Sequence, residues 1–202
     1  MEDLGLDPKL VDKSLDFKKV NDNKKKLYAA LDLGTNSCRM LIARPTGSRF
    51  EIVDAFSKSI RLGLDLERTG ELSQAGISRA LQALHVCAKK LNKFGVRNSR
   101  LVATEACRRS KNGKSFLSKV KKETGLTLEL IKPEEEARLA VISCAPLFDP
   151  NFSHVLIVDI GGGSTELVWM DLSEVPKEKR IAEMLKLQLG FKNKNYSKFE
   201  KS

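Results

Sequence analysis

With 41% hydrophobic and 31% charged residues, the 202-residue chain has the composition of an ordinary soluble protein of one or two domains. No apolar run approaches the ~20 residues of a membrane span, and the first residues lack the basic-then-apolar order of a signal peptide, so no membrane association is expected and the cytoplasm is the expected compartment. The net charge of +10 is spread along the chain without a series of stacking aromatics, which points to an anionic ligand, nucleic acid included, without choosing one; no specific nucleic-acid partner is expected.

Residues 1–26 alternate acidic and basic side chains, have little apolar periodicity and end in Lys24-Lys25-Lys26, the pattern of a flexible tail. Three strands are predicted next, over residues 27–32, 37–43 and 50–57, with Pro45-Thr46-Gly47-Ser48 as the turn between the last two. A loop runs from Arg61 to Leu72. Ser73 then caps a long helix whose apolar positions Ile77, Ala80, Leu81, Leu84, Ala88 and Leu91 recur at helical spacing, and Gly95 ends it. A strand over 100–103, a helix capped near Asn112 and stopped by Gly125, a strand over 126–131 and a helix opened by Pro133 complete an alternating α/β order. Glu134, Glu135 and Glu136 fall in the first turn of that last helix, where its dipole favours acidic side chains.

The stretch 155–170, VLIVDIGGGSTELVWM, reads as a tight hairpin with an acidic residue and three glycines at its tip. Gly161, Gly162 and Gly163 can take positive φ and carry no Cβ, so a phosphate could approach their backbone N–H groups, while Asp159 could hold a cation and Ser164 and Thr165 add hydroxyls. The same pattern occurs earlier, where Leu31-Asp32-Leu33-Gly34-Thr35-Asn36-Ser37 matches Val158-Asp159-Ile160-Gly161-Gly162-Gly163-Ser164 position by position. Two such units suggest two loops facing one anionic ligand and its cation. Arg44, Arg108 and Arg109 are all candidate phosphate ligands, since guanidinium forks match phosphate oxygens, and spacing does not choose among them. The four cysteines show no metal-ligand spacing and are expected as reduced, buried thiols; His85 and His154 are isolated and receive no role.

Four stretches taken in order, Asp32-Leu33-Gly34-Thr35-Asn36-Ser37, Ala103-Thr104-Glu105-Ala106-Cys107-Arg108, Glu135-Glu136-Ala137-Arg138-Leu139 and Asp159-Ile160-Gly161-Gly162-Gly163-Ser164-Thr165-Glu166, resemble the motifs of the exopolyphosphatase and guanosine pentaphosphate phosphohydrolase (Ppx/GppA) family. The resemblance implies the actin-like ATPase (ASKHA, RNase H-like) fold, an α/β first lobe with a mixed sheet over 27–150 carrying the first phosphate loop. It places the first hairpin of a second lobe, with the second phosphate loop, at 151–172. It further implies Glu136 as the base that activates water and Arg108 as a phosphate-contacting catalytic residue. Gly34, Thr35, Asn36, Ser37, Gly161, Gly162, Gly163, Ser164 and Thr165 would hold phosphates, and Mg²⁺ would lie near Asp32, Asp159 and Glu166. The implied activity is release of terminal phosphate from polyphosphate or guanosine pentaphosphate (pppGpp).

After Leu172 the chain departs from the family. Residues 173–202 are rich in Lys and Asn and too few for a lobe, so only a stub of the second lobe is expected. The alternative reading is therefore a catalytically impaired fragment that binds polyanions. The uncovered hairpin is expected either to pack loosely or to expose Val155, Ile157, Leu167 and Trp169, and to promote self-association.

Overall fold

The computed structural model describes residues 26–47, 49–186 and the backbone of 196–199. The expectations for 1–25, and for the tail at 187–195 and beyond 199, lie outside the described residues. The chain divides into two compact units: the described part of the larger is residues 26–47, 49–136 and 160–165, and that of the smaller is 137–159, 166–186 and 196–199.

The larger unit is built on a five-stranded sheet in the order β3-β2-β1-β4-β5. Strands β1 (Tyr28–Leu33), β2 (Ser37–Thr46) and β3 (Arg49–Ser59) form the antiparallel meander read from the sequence. Strand β4 (Asn98–Ala103) returns parallel to β1, and β5 (Glu129–Leu130) lies parallel to β4, so the sheet is mixed. A parallel return needs a long crossover. The chain makes it through α1 (Leu66–Thr69) and α2 (Gln74–Lys93). α1 is a single turn inside the predicted loop, ended by Gly70 in the left-handed conformation. α2 starts where expected, with the Ser73 hydroxyl accepting the amide of Gly76 at 3.3 Å.

Alternation on the strands decides which face is covered. Ala29, Leu31 and Leu33 of β1 and Cys38, Met40 and Ile42 of β2 join Ile77, Ala80, Leu81, Leu84 and Leu91 of α2 in one apolar core. Each fully buried leucine there is worth about 1.5–3 kcal/mol of transfer free energy. Two short helices follow β4: α3 (Glu105–Arg109) and α4 (Gly113–Thr124), the second giving Phe116 and Val120 to the same core. Asn112 does not cap α4 through its side chain. It bridges instead to the backbone of Leu72, accepting that residue's N–H and donating to its carbonyl, both at 2.9 Å. The predicted strand at 126–131 contracts to two residues, because Leu126 and Leu128 turn into the core and only Glu129 and Leu130 pair with β4. Between Ile42 and Ala43 the β2/β3 register shifts by a bulge, and β3 is left as an exposed edge.

α5 (Pro133–Cys144) starts at the predicted proline, and from Ala137 on it belongs to the smaller unit. That unit's sheet runs β6 (His154–Ile160), β7 (Thr165–Asp171) and β8 (Tyr196–Phe199). Its core gathers Ala137 and Val141 of α5, Ile157, Val168, Met170 and Leu172 from the hairpin region, and Met184 of α6 (Arg180–Leu185). The buried Arg180 guanidinium ties the loops together, donating to the carbonyls of Leu172, Val175, Pro150 and Phe152. The hairpin's outward face differs in part from expectation. Ile157 is buried and Val155 half-buried; Leu156, Val158, Ile160 and Trp169 are the exposed apolar residues, because β6 turns its odd-numbered side chains into the core.

Cys38, Cys87 and Cys107 are free and buried, whereas Cys144 is half-buried. Burial pushes the Cys107 thiol up to about 12. Cys38 is also held well above the ordinary thiol range, by its hydrogen bond with Cys87 and by burial.

Candidate functional site

The two matching stretches fold into matching turns. The Gly34 amide donates to the Ser37 carbonyl at 2.9 Å, and the Gly161 amide donates to the Ser164 carbonyl at 2.9 Å. Both turns lie in the larger unit, since residues 160–165 cluster with it. None of Gly34, Gly161, Gly162 and Gly163 sits at positive φ, contrary to the conformational reason read from the sequence. What these glycines supply is room. A Cβ on Gly162 would collide with the side chain of Asn36, and one on Gly163 would lie 2.7 Å from Thr35 Oγ1 and 3.4 Å from Glu105 Cγ. The loops are thus packed on each other through the absence of side chains at their tips. The Gly34 and Gly161 amides are committed to closing their turns, while those of Thr35, Asn36, Gly162 and Gly163 donate to no protein acceptor among the described residues. Ser37, Ser164 and Thr165 flank these amides with hydroxyls.

The first loop is braced from behind. Asn36 O accepts the amides of Ile60 at 2.8 Å and Arg61 at 3.0 Å, and Thr35 O accepts that of Gly63 at 3.1 Å. Gly63 must be glycine here, because a Cβ would stand 2.5 Å from Thr35 Cγ2. From α2, Arg79 donates through Nε to Ile60 O at 2.7 Å and through Nη2 to Arg61 O at 3.1 Å.

Next to the loops lies a partly buried ionic cluster. Arg108, at the end of α3, donates through Nη2 to Glu105 Oε2 at 2.5 Å, through Nη1 to Ile131 O at 2.8 Å, and through both to Glu136 Oε2 at 3.1 and 3.2 Å. Its terminal N–H groups are therefore taken up by protein acceptors, and Glu136 is held in one orientation. The three glutamates of α5 are separated by this packing. Glu135 is buried and pairs with Arg100 Nη1 at 2.7 Å, a guanidinium that also grips Glu129 with Nε and Nη2 at 3.1 Å each. Glu129 first and Glu135 second raise the pKa of Arg100 above its ordinary value. Glu136 alone of the pair reaches Arg108. Glu105 has no role expected from the sequence, although its place three residues before Arg108 on a helix puts the two side chains together. Of the other candidate arginines, Arg44 pairs with Glu51 at 2.8 Å across the β2/β3 hairpin and Arg109 with Glu67 at 2.7 Å, both exposed.

Asp32 is half-buried near the end of β1. In the smaller unit, Asp159 is half-buried on β6 and Glu166 is buried on β7. All three present carboxylate oxygens, the donor type that Mg²⁺ prefers. No group of three or more His, Cys, Asp or Glu gathers closely enough to hold a metal ion among the described residues. His154 stacks on Trp169 with ring centroids 5.4 Å apart and reaches Asp171 at 3.4 Å, on the outward side of the hairpin.

A mixed sheet of this order, with a glycine-tipped loop after its first strand and a second such loop on a later hairpin, defines an α/β protein of the actin-like class, represented by its first lobe and the start of a second. Solved structures agree. An Aquifex aeolicus Ppx/GppA family member is 36% identical, covering 73% of this chain and 48% of its own, with a TM-score of 0.63. An exopolyphosphatase from Cytophaga hutchinsonii is 22% identical, covering 87% of this chain and 50% of its own, with a TM-score of 0.70, a likeness of fold. The family model of the Ppx/GppA phosphatases matches residues 41–192, and the chain belongs to that family. It spans about half the length of these solved relatives.

Proposed function

We propose that the chain carries the water-activating half of a phosphohydrolase that releases terminal phosphate from polyphosphate or guanosine pentaphosphate in the cytoplasm. The observation that supports this most directly is the link between loops and base: Glu105 lies against Gly163 of the second loop, Glu105 grips Arg108, and Arg108 grips Glu136. Loop amides and hydroxyls neutralise and orient a phosphate, which is most of what phosphoryl transfer asks of a protein. Glu136 then takes the proton of the attacking water, and Arg108 keeps its carboxylate oriented while it does so. Asp32, Asp159 and Glu166 are each retained as carboxylates that would hold Mg²⁺, an ion that supplies charge neutralisation at phosphoryl oxygens when bound. Phosphate release from polyphosphate by the purified chain is the test. Glu136→Gln is expected to lower kcat by about 10²–10⁴-fold, the range for a lost general base; equal rates would remove Glu136 from the mechanism.

The engagement of all four terminal Arg108 N–H groups favours a second reading, a polyanion binder without hydrolysis. Such a binder retains polyphosphate in a manner that weakens steeply with salt and releases no phosphate.

A further inference from the structure

Arg61 is the one residue other than glycine with positive φ among the described residues, at 45°. That conformation is strained for a side chain with a Cβ, and strain of this kind persists only where the surroundings enforce it. Here they enforce it from both sides. The Arg61 amide donates to Asn36 O at 3.0 Å, and its carbonyl accepts Arg79 Nη2 at 3.1 Å. Glycine would meet the backbone demand without strain. The arginine therefore calls for a reason in its side chain, and the fold offers none: the residue is exposed, and its guanidinium makes no hydrogen bond or ion pair among the described residues. By contrast, Arg44, Arg100, Arg108, Arg109 and Arg79 are all engaged by the protein. The backbone of Arg61 is bonded directly to the first phosphate loop, whose partner loop lies against Asn36.

From this we infer that Arg61 is an additional phosphate-contacting residue of the site, gripping the phosphoanhydride chain of a polyanionic substrate with a guanidinium that is left unpaired for the purpose. The inference rests on the phosphate-site reading above, though not on hydrolysis. The left-handed backbone fixes where the side chain leaves the loop, and Arg79 is the positioning residue that holds it there.

The experiment compares wild type, Arg61→Gly, Arg61→Lys and Arg97→Ala. Arg97 is an exposed arginine directly before β4, so its loss matches the change in net charge. Binding of long-chain polyphosphate is titrated by calorimetry, phosphate release is followed, and thermal midpoints are recorded. In Arg61→Gly the midpoint stays level or rises while polyphosphate affinity falls about tenfold or more, the scale of one lost charge-assisted hydrogen bond. Arg61→Lys lies between the two, and Arg97→Ala stays close to wild type. Equal affinity in wild type and Arg61→Gly overturns the inference, as does an equal loss in Arg97→Ala, or a loss in Arg61→Gly that comes with a lowered midpoint. Weakened binding in Arg61→Gly with no phosphate release by wild type upholds Arg61 and removes the hydrolase. Release with the same KM in wild type and Arg61→Gly does the reverse, and failure of wild type to bind polyphosphate removes both.

Discussion

At the scale of single residues, room and charge decide more than conformation does. The tip of the second loop has no spare volume at Gly162, where any Cβ meets the Asn36 side chain. Gly162→Ala is expected to lower stability by about 1–3 kcal/mol, the usual cost of overpacking, and to weaken phosphate binding; a urea midpoint with an unchanged m-value would register the first effect. A surface carboxylate shows the charge side. The Lys90 ammonium, 2.7 Å from Asp54 Oδ2, holds the Asp54 carboxyl below its ordinary pKa. A depressed carboxylate contributes stability that is present above its unfolded pKa and is lost as pH falls through the folded value. Asp54→Asn should therefore be less stable than wild type at pH 7, with the gap closing below about pH 4. Urea midpoints of both proteins at pH 7 and pH 3 check this, and a gap that persists at pH 3 would count against it. The residues that carry motif patterns, Asp32, Glu136 and the loop glycines, were legible in the sequence. Arg61 and Arg79 were not, because what distinguishes them is a backbone angle and a bond to carbonyls 18 and 19 residues away.

Among elements, local signals proved good and long-range ones silent. The meander, the Ser73 cap, the proline start of α5 and the glycine stops each depend on a few neighbouring residues, and each was readable. The one-turn α1 is too short for periodicity to register, and β5 is shorter than its apolar pattern suggests because residues that look like strand enter the core without pairing. Asn112 is the clearest case. Its position before a helix reads as a cap, yet it spends both side-chain groups on Leu72, 40 residues earlier. This pins the loop before α2 to the start of α4. Asn112→Ala is expected to cost about 1–3 kcal/mol, two hydrogen bonds' worth, whereas the loss of a mere cap would cost about 1. Hydrogen exchange should then quicken at the Leu72 amide; unchanged exchange there would show that the bridge carries no weight.

For the whole molecule, the apolar surface matters most. On the β6/β7 hairpin of the smaller unit, Leu156, Val158 and Trp169 are exposed. Sedimentation velocity over a concentration series is expected to show reversible association, reduced by Leu156→Lys at an exposed position; a monomer at all concentrations would refute this. Another exposed feature is the edge strand β3, which is interrupted by the bulge between Ile42 and Ala43. An unbroken eleven-residue edge would be a template for a neighbour's strand. The extra residue kinks and twists that ribbon partway along, so a second strand meets a matching row of donors and acceptors over only part of its length. Pairing along β3 is thereby kept short, which makes it a poor seam for extending a sheet from one copy of the chain to the next.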